Sequence, residues 1–139
     1  MSLPPLDNLV RIHKLKAEAQ DAGEIERFIA MANTHLADAG QQGVSLQGRY
    51  TSAYTAAHVS ALAALRWHGY RSENRYLVFQ CLEHTVGWPA ERWRPLSEAH
   101  AARNRAEYEG YFELQDRDLD ALIQAAQALL QDVRKLTSL

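Results

Sequence analysis

Ser45-Leu-Gln-Gly-Arg-Tyr-Thr-Ser-Ala-Tyr-Thr-Ala-Ala-His-Val-Ser-Ala-Leu-Ala-Ala-Leu-Arg-Trp-His-Gly69 is the stretch that decides the fold. Tyr50, Tyr54, Ala57, Ala61, Leu62 and Leu65 recur at spacings of three and four, the signature of one helix face. Ser45 suits the N-cap and Gly69 the stop, so the spacing predicts a long third helix. The many alanines allow neighbouring helices to approach closely.

Working outward toward the N-terminus, Leu9, Val10, His13 and Leu15 follow Pro4-Pro5, with Asp7 as a suitable N-cap for a first helix that Gly23 interrupts. Ile25, Phe28, Ile29, Ala32 and Leu36 mark a second helix ending at Gly40. Toward the C-terminus, Ser72 suits the cap of a fourth helix, apolar nearly all round at Leu77, Val78, Phe79, Cys81, Leu82 and Val86, which predicts a central place in the core. Gly87-Trp88-Pro89 ends it. Pro95 limits helix growth from Pro89, so a short turn is expected, then a fifth helix from Leu96 to Glu109 closed by Gly110. Asp116 or Asp118 caps a last helix striped by Leu119, Leu122, Ile123, Ala126, Leu130 and Val133. No run alternates with period two long enough to argue a strand. The expected architecture is all-α: one domain over residues 1–139, an up-and-down bundle of five or six helices.

A chain of 139 residues suits one domain and buries roughly two-thirds of its unfolded surface, so no disulfide or metal staple is required. The single cysteine, Cys81, excludes an intrachain disulfide framework, fits a reducing compartment and, in its apolar run, reads as a buried inert thiol. No apolar h-region opens the chain and no apolar run approaches the ~20 residues needed to span a bilayer, which predicts a soluble cytoplasmic protein. The net charge of −2 hides an asymmetry: residues 49–105 carry 8 basic and 4 acidic groups, and residues 106–139 carry 3 and 7. All the basic residues of the middle block are arginines, whose planar fork suits bidentate contact with phosphate or carboxylate.

Several chemistries have no support. The six histidines are scattered without an i, i+4 pair, a Glu-x-x-His or a His-Glu-x-x-His, so no metal site and no cofactor are expected. No Gly-x-Ser-x-Gly and no Gly-rich phosphate loop occur.

Three features remain. Arg49-Tyr50 and Tyr54-x-Ala-Ala lie on the third helix, with the aromatics on its core face. Gly69-Tyr70-Arg71 joins the third and fourth helices. Arg103-Asn104-x-x-x-Tyr108 lies on the fifth helix, where His100, Arg103, Asn104, Glu107 and Tyr108 share a face. Arg103, Asn104, Arg71 and Arg105 are the candidate phosphate or nucleic-acid contacts; Arg103, Tyr108 and His100 are the candidate catalytic groups. The alternative is that Arg103 and Asn104 pair with acidic groups of a neighbouring helix or protomer and merely hold an interface together.

In this order, the three features resemble the HEPN superfamily, from about Leu9 to Leu136. The resemblance implies a compact helical bundle that usually dimerises, with the Arg-bearing helix lining a cleft at the dimer interface. Many members are metal-independent endoribonucleases of toxin–antitoxin, CRISPR and other defence systems, and others are inactive and bind nucleotides or nucleic acid. The ribonucleases carry Arg followed four to six residues later by His, whereas Arg103 is followed there by Tyr108, Glu109 and Gly110. Cleavage through a 2′-hydroxyl needs a group exchanging protons near neutral pH, and tyrosine, at about 10 unperturbed, is a poor base. His100 precedes Arg103 on the same face and is the nearest replacement. The resemblance therefore implies a homodimer that binds RNA or a nucleotide without efficient cleavage. The alternatives are a variant endoribonuclease toxin, and a protein-interaction subunit for a nucleotidyltransferase-like partner or antitoxin, its acidic last helix offering Asp116, Asp118, Asp120 and Asp132.

Overall fold

The computed structural model describes residues 3–110 and 113–138, without the side chain of residue 107. The described chain is all-α except for one two-stranded ladder. In chain order its elements are α1 (Pro4–Arg11), β1 (Lys16–Ala17), α2 (Ala22–Ala39), α3 (Leu46–Trp67), β2 (Tyr70–Arg71), α4 (Arg75–Gln80), α5 (Leu82–Thr85), α6 (Ala90–Glu109) and α7 (Asp116–Thr137). The expected fourth helix is α4 and α5, separated by Cys81 alone.

The centre is α3 rather than the expected fourth helix. It packs most extensively on α2 and α7, and Ala53, Ala56, Ala57, Ala61, Ala63 and Ala64 are all fully buried. Small side chains around the whole circumference let neighbours close in from several sides. α4 is too short for that role and buries only Val78 and Phe79. On α7 the expected stripe faces inward, with Leu119, Leu122, Ala126, Leu130 and Val133 buried.

Ser45 Oγ accepts the Gly48 N–H at 3.0 Å, so the expected cap of α3 is the one used. Gly69, at φ 92°, and Gly110, at φ 66°, take left-handed backbone after α3 and α6. Other boundaries differ from expectation. Pro4 opens α1 from the first turn, where its fixed φ suits a helix start, so Asp7 lies inside α1 rather than capping it. Its carboxylate instead accepts the Tyr70 hydroxyl at 2.5 Å. α1 stops at Arg11, and His13 takes a left-handed φ of 62°. Gly23 therefore does not interrupt the first helix; it lies in the first turn of α2, capped by Asp21.

Asn74, not Ser72, caps α4, its Oδ1 accepting the Leu77 N–H at 3.1 Å, while Ser72 Oγ accepts from the Asn74 N–H. Pro95 does not separate a turn from a helix: α6 runs through it from Ala90. The proline forgoes one backbone donor while Leu96 and Ala99 beyond it are buried. Gln115 is the N-cap of α7, and the Asp118 carboxylate accepts its N–H at 2.9 Å.

The unexpected ladder pairs Lys16 with Arg71 and Ala17 with Tyr70, antiparallel. Two residues per strand leave no alternation to read. Their register is held by a charge cluster at the end of α3. Arg66, only 1% exposed, donates to the Glu18 carbonyl at 2.9 Å, the Ala19 carbonyl at 2.6 Å and the Glu24 carboxylate at 2.5 Å. Arg71 donates to the same Glu24 at 2.6 and 2.8 Å and to Glu18 at 2.8 Å.

Candidate functional site

α3, α4 and α6 meet around a polar cluster set in an aromatic wall. Tyr54 and His58 stand one turn apart on α3 with ring centroids 6.1 Å apart, nearly parallel at 19°. Phe79 of α4 packs edge-on against both, at 5.9 and 6.0 Å. From α6, His100 Nδ1 lies 2.8 Å from the Tyr54 hydroxyl, and the Asn104 Nδ2 lies 3.2 Å from His100 Nε2. With the Asn104 amide nitrogen as donor, Nε2 accepts, which in neutral His100 puts the proton on Nδ1 for donation to Tyr54 Oη. Both nitrogens are occupied in the neutral form, and the ring is buried.

Arg103, one turn on from His100, lays its guanidinium over the Tyr54 ring with Cζ 5.4 Å from the centroid. Such a cation–π contact contributes about 1 kcal/mol and orients the fork. The Tyr76 ring meets His100 edge-on, with centroids 4.9 Å apart at 79°, and is 47% exposed. Burial, with Arg75, His100 and Arg103 adding positive field, holds His58 down at about 4, against its usual value near 6.5. His58 is thus an uncharged imidazole at neutral pH, beside two arginines.

The structure therefore brings together His100, Arg103 and Asn104 of the expected face and adds His58, Tyr54 and Tyr76. The sequence reading placed Tyr54 in the core, where it is, without seeing that its hydroxyl reaches His100. His58 and Tyr76 were missed. The i, i+4 spacing of Tyr54 and His58 was the available signal, but nothing in it says which helix they face. Tyr108 stays at the surface, 83% exposed.

Arg71 and Arg105 lie elsewhere. Arg71 is engaged by Glu18 and Glu24 beside Arg66, and Arg66 lies twelve positions beyond Tyr54 on α3, about 18 Å along a helix. Arg105 is two residues from Arg103, so it points off another side of α6. It lines a 330 Å³ cleft between α6 and α7 together with Glu98, Glu113 and Asp118. Three carboxylates make that cleft poor for phosphate. Burial, then Asp118 and Glu98, raises the Tyr50 hydroxyl there above its ordinary value, against an opposing effect of Arg105. Asp132 of the acidic last helix accepts from Trp88 Nε1 at 2.8 Å.

Burial pushes the Cys81 thiol up to about 12, which leaves no thiolate for nucleophilic chemistry. No group of three or more potential metal ligands occurs among the described residues, and no helix there is long and apolar enough to cross a membrane. No protein-family model matches the chain, and no curated protein is significantly similar to it.

Proposed function

We propose that the chain is a HEPN-like up-and-down bundle that acts as a cytoplasmic homodimer, in a toxin–antitoxin or other defence setting. It holds RNA or a nucleotide phosphate on the Arg103–Asn104 face of α6 without efficient ribonuclease activity. The observation that carries this reading is the convergence of Arg103, His58 and His100 on the Tyr54 ring, with the guanidinium oriented by that ring. An oriented guanidinium is suited to a phosphate oxyanion, and a neighbouring imidazole kept uncharged does not compete for it. Arg71 and Arg105 stand outside this face and are not part of the proposed contact.

The test is binding of a labelled single-stranded RNA at low salt. Wild-type protein should bind, and Arg103→Ala should weaken binding at least about tenfold, the value of a charge-assisted hydrogen bond. No binding, or binding indifferent to that substitution, removes the reading.

One observation favours a second reading, a metal-independent endoribonuclease with a variant site. The His100 ring, oriented by Tyr54 and Asn104, stands one turn from Arg103, so an imidazole able to exchange a proton once either bond is released accompanies the guanidinium. Purified protein would then cleave RNA in the presence of a chelator, and Arg103→Ala and His100→Ala would each abolish cleavage. Intact RNA removes it.

A further inference from the structure

We propose that Tyr76 is a stacking platform for a nucleobase, so that the site grips a nucleotide by its base as well as its phosphate and takes unpaired strands. The inference rests on the reading of the Arg103 face as a phosphate site and goes further by naming what the rest of the ligand touches.

Tyr76 sits on α4 with nearly half of its surface open. Its ring does not lie free on the surface. It stands nearly perpendicular to the His100 ring, with centroids 4.9 Å apart, and His100 is itself pinned by Tyr54 on one nitrogen and Asn104 on the other. A near-perpendicular ring contact fixes the tilt of both partners. A base laid on a ring already held in place costs little side-chain ordering.

The same support carries Arg103, whose guanidinium rests on Tyr54, and exposed Arg75 precedes Tyr76 on α4. Tyr76 and the Arg103 guanidinium therefore rest on one bonded pair, His100 and Tyr54. A nucleotide offers the complementary pair, a flat base joined to a phosphate. Bases in a duplex are already stacked on each other and cannot lie on a protein ring, whereas unpaired bases can.

The experiment uses the full chain with two labelled strands of about ten units, a length within single-strand site sizes: oligoadenylate, and an abasic strand with the same number of phosphates. Wild-type protein should bind oligoadenylate more tightly than the abasic strand. Tyr76→Ala should weaken oligoadenylate by about fivefold or more and leave the abasic strand unchanged, which also shows that the variant is folded. Tyr76→Phe should keep wild-type affinity, and Arg103→Ala should weaken both strands. If Tyr76→Ala binds oligoadenylate like wild type while Arg103→Ala binds neither, stacking is wrong and the phosphate site stands. If wild type binds neither strand, both readings fall.

Discussion

The Tyr54 hydroxyl and His100 Nδ1 lie 2.8 Å apart, tying the middle of α3 to the middle of α6 inside the molecule. The bond joins residues 46 positions apart. Tyr54→Phe keeps the ring that packs on His58 and Phe79 and removes only the oxygen. Its loss leaves a buried imidazole N–H without its acceptor, a cost of about 1–2 kcal/mol. The expected result is a lower urea midpoint with unchanged slope; an unchanged midpoint would show that the bond contributes nothing.

A larger effect is expected at Arg66. Its guanidinium is sealed at the end of α3 and satisfies the Glu18 and Ala19 carbonyls and the Glu24 carboxylate at once. Removing one partner of a buried charge cluster costs about 3–5 kcal/mol. Arg66→Met should lower stability by that order in denaturant titration. Arg66→Lys should recover little, because one ammonium cannot reproduce the planar fork. A midpoint for Arg66→Met within experimental scatter of wild type would overturn this account.

Stability should fall in acid in two steps. His58 takes up its proton only near 4 when folded but near 6.5 when unfolded. The unfolded chain therefore gains protons first, and stability drops between pH 6.5 and 4 by on the order of 3 kcal/mol. Hydrogen bonds from Arg71 to Glu18, and from Arg71 and Arg66 to Glu24, hold both carboxyls below the ordinary 4.5. Their contribution is complete above that value and is lost as the pH falls below it. His58→Gln should flatten the upper step and spare the lower one. A wild-type curve flat from pH 7 to 5 would remove the assignment.

Tyr70 fastens the start of the chain. Its hydroxyl donates to Asp7 at 2.5 Å and accepts the Leu3 N–H at 2.9 Å. Tyr70→Phe should speed hydrogen exchange of the α1 amides by about fivefold to tenfold while α3 and α7 keep their protection. Uniform acceleration across the molecule would instead mean a global loss of stability.

Much of the helical layout was legible because its cause is local. The apolar stripes of α2, α3 and α7, the Ser45 cap and the Gly110 stop depend on residues within a few positions of each other. What failed had a distant cause. Asp7 reads as a cap until Tyr70 is seen to claim it. Pro95 reads as the limit of a helix, but α6 runs through it and buries Leu96 and Ala99 beyond it. The β1–β2 ladder is too short to show a period and exists because Arg66 and Arg71 hold Glu18 and Glu24 beneath it.

The candidate site divides the same way. That His100, Arg103 and Asn104 share a face follows from 3.6 residues per turn and is written in the sequence. The sequence likewise determined that the chain is helical, since its apolar residues recur with that period and no other. Only the tertiary structure decided that Tyr54, His58 and Tyr76 complete the cluster, that Arg71 is engaged by Glu18 and Glu24, and that Arg105 lines a different cleft. Side-chain partners across helices depend on how whole helices pack, and packing is a property of all the faces together rather than of any one stretch.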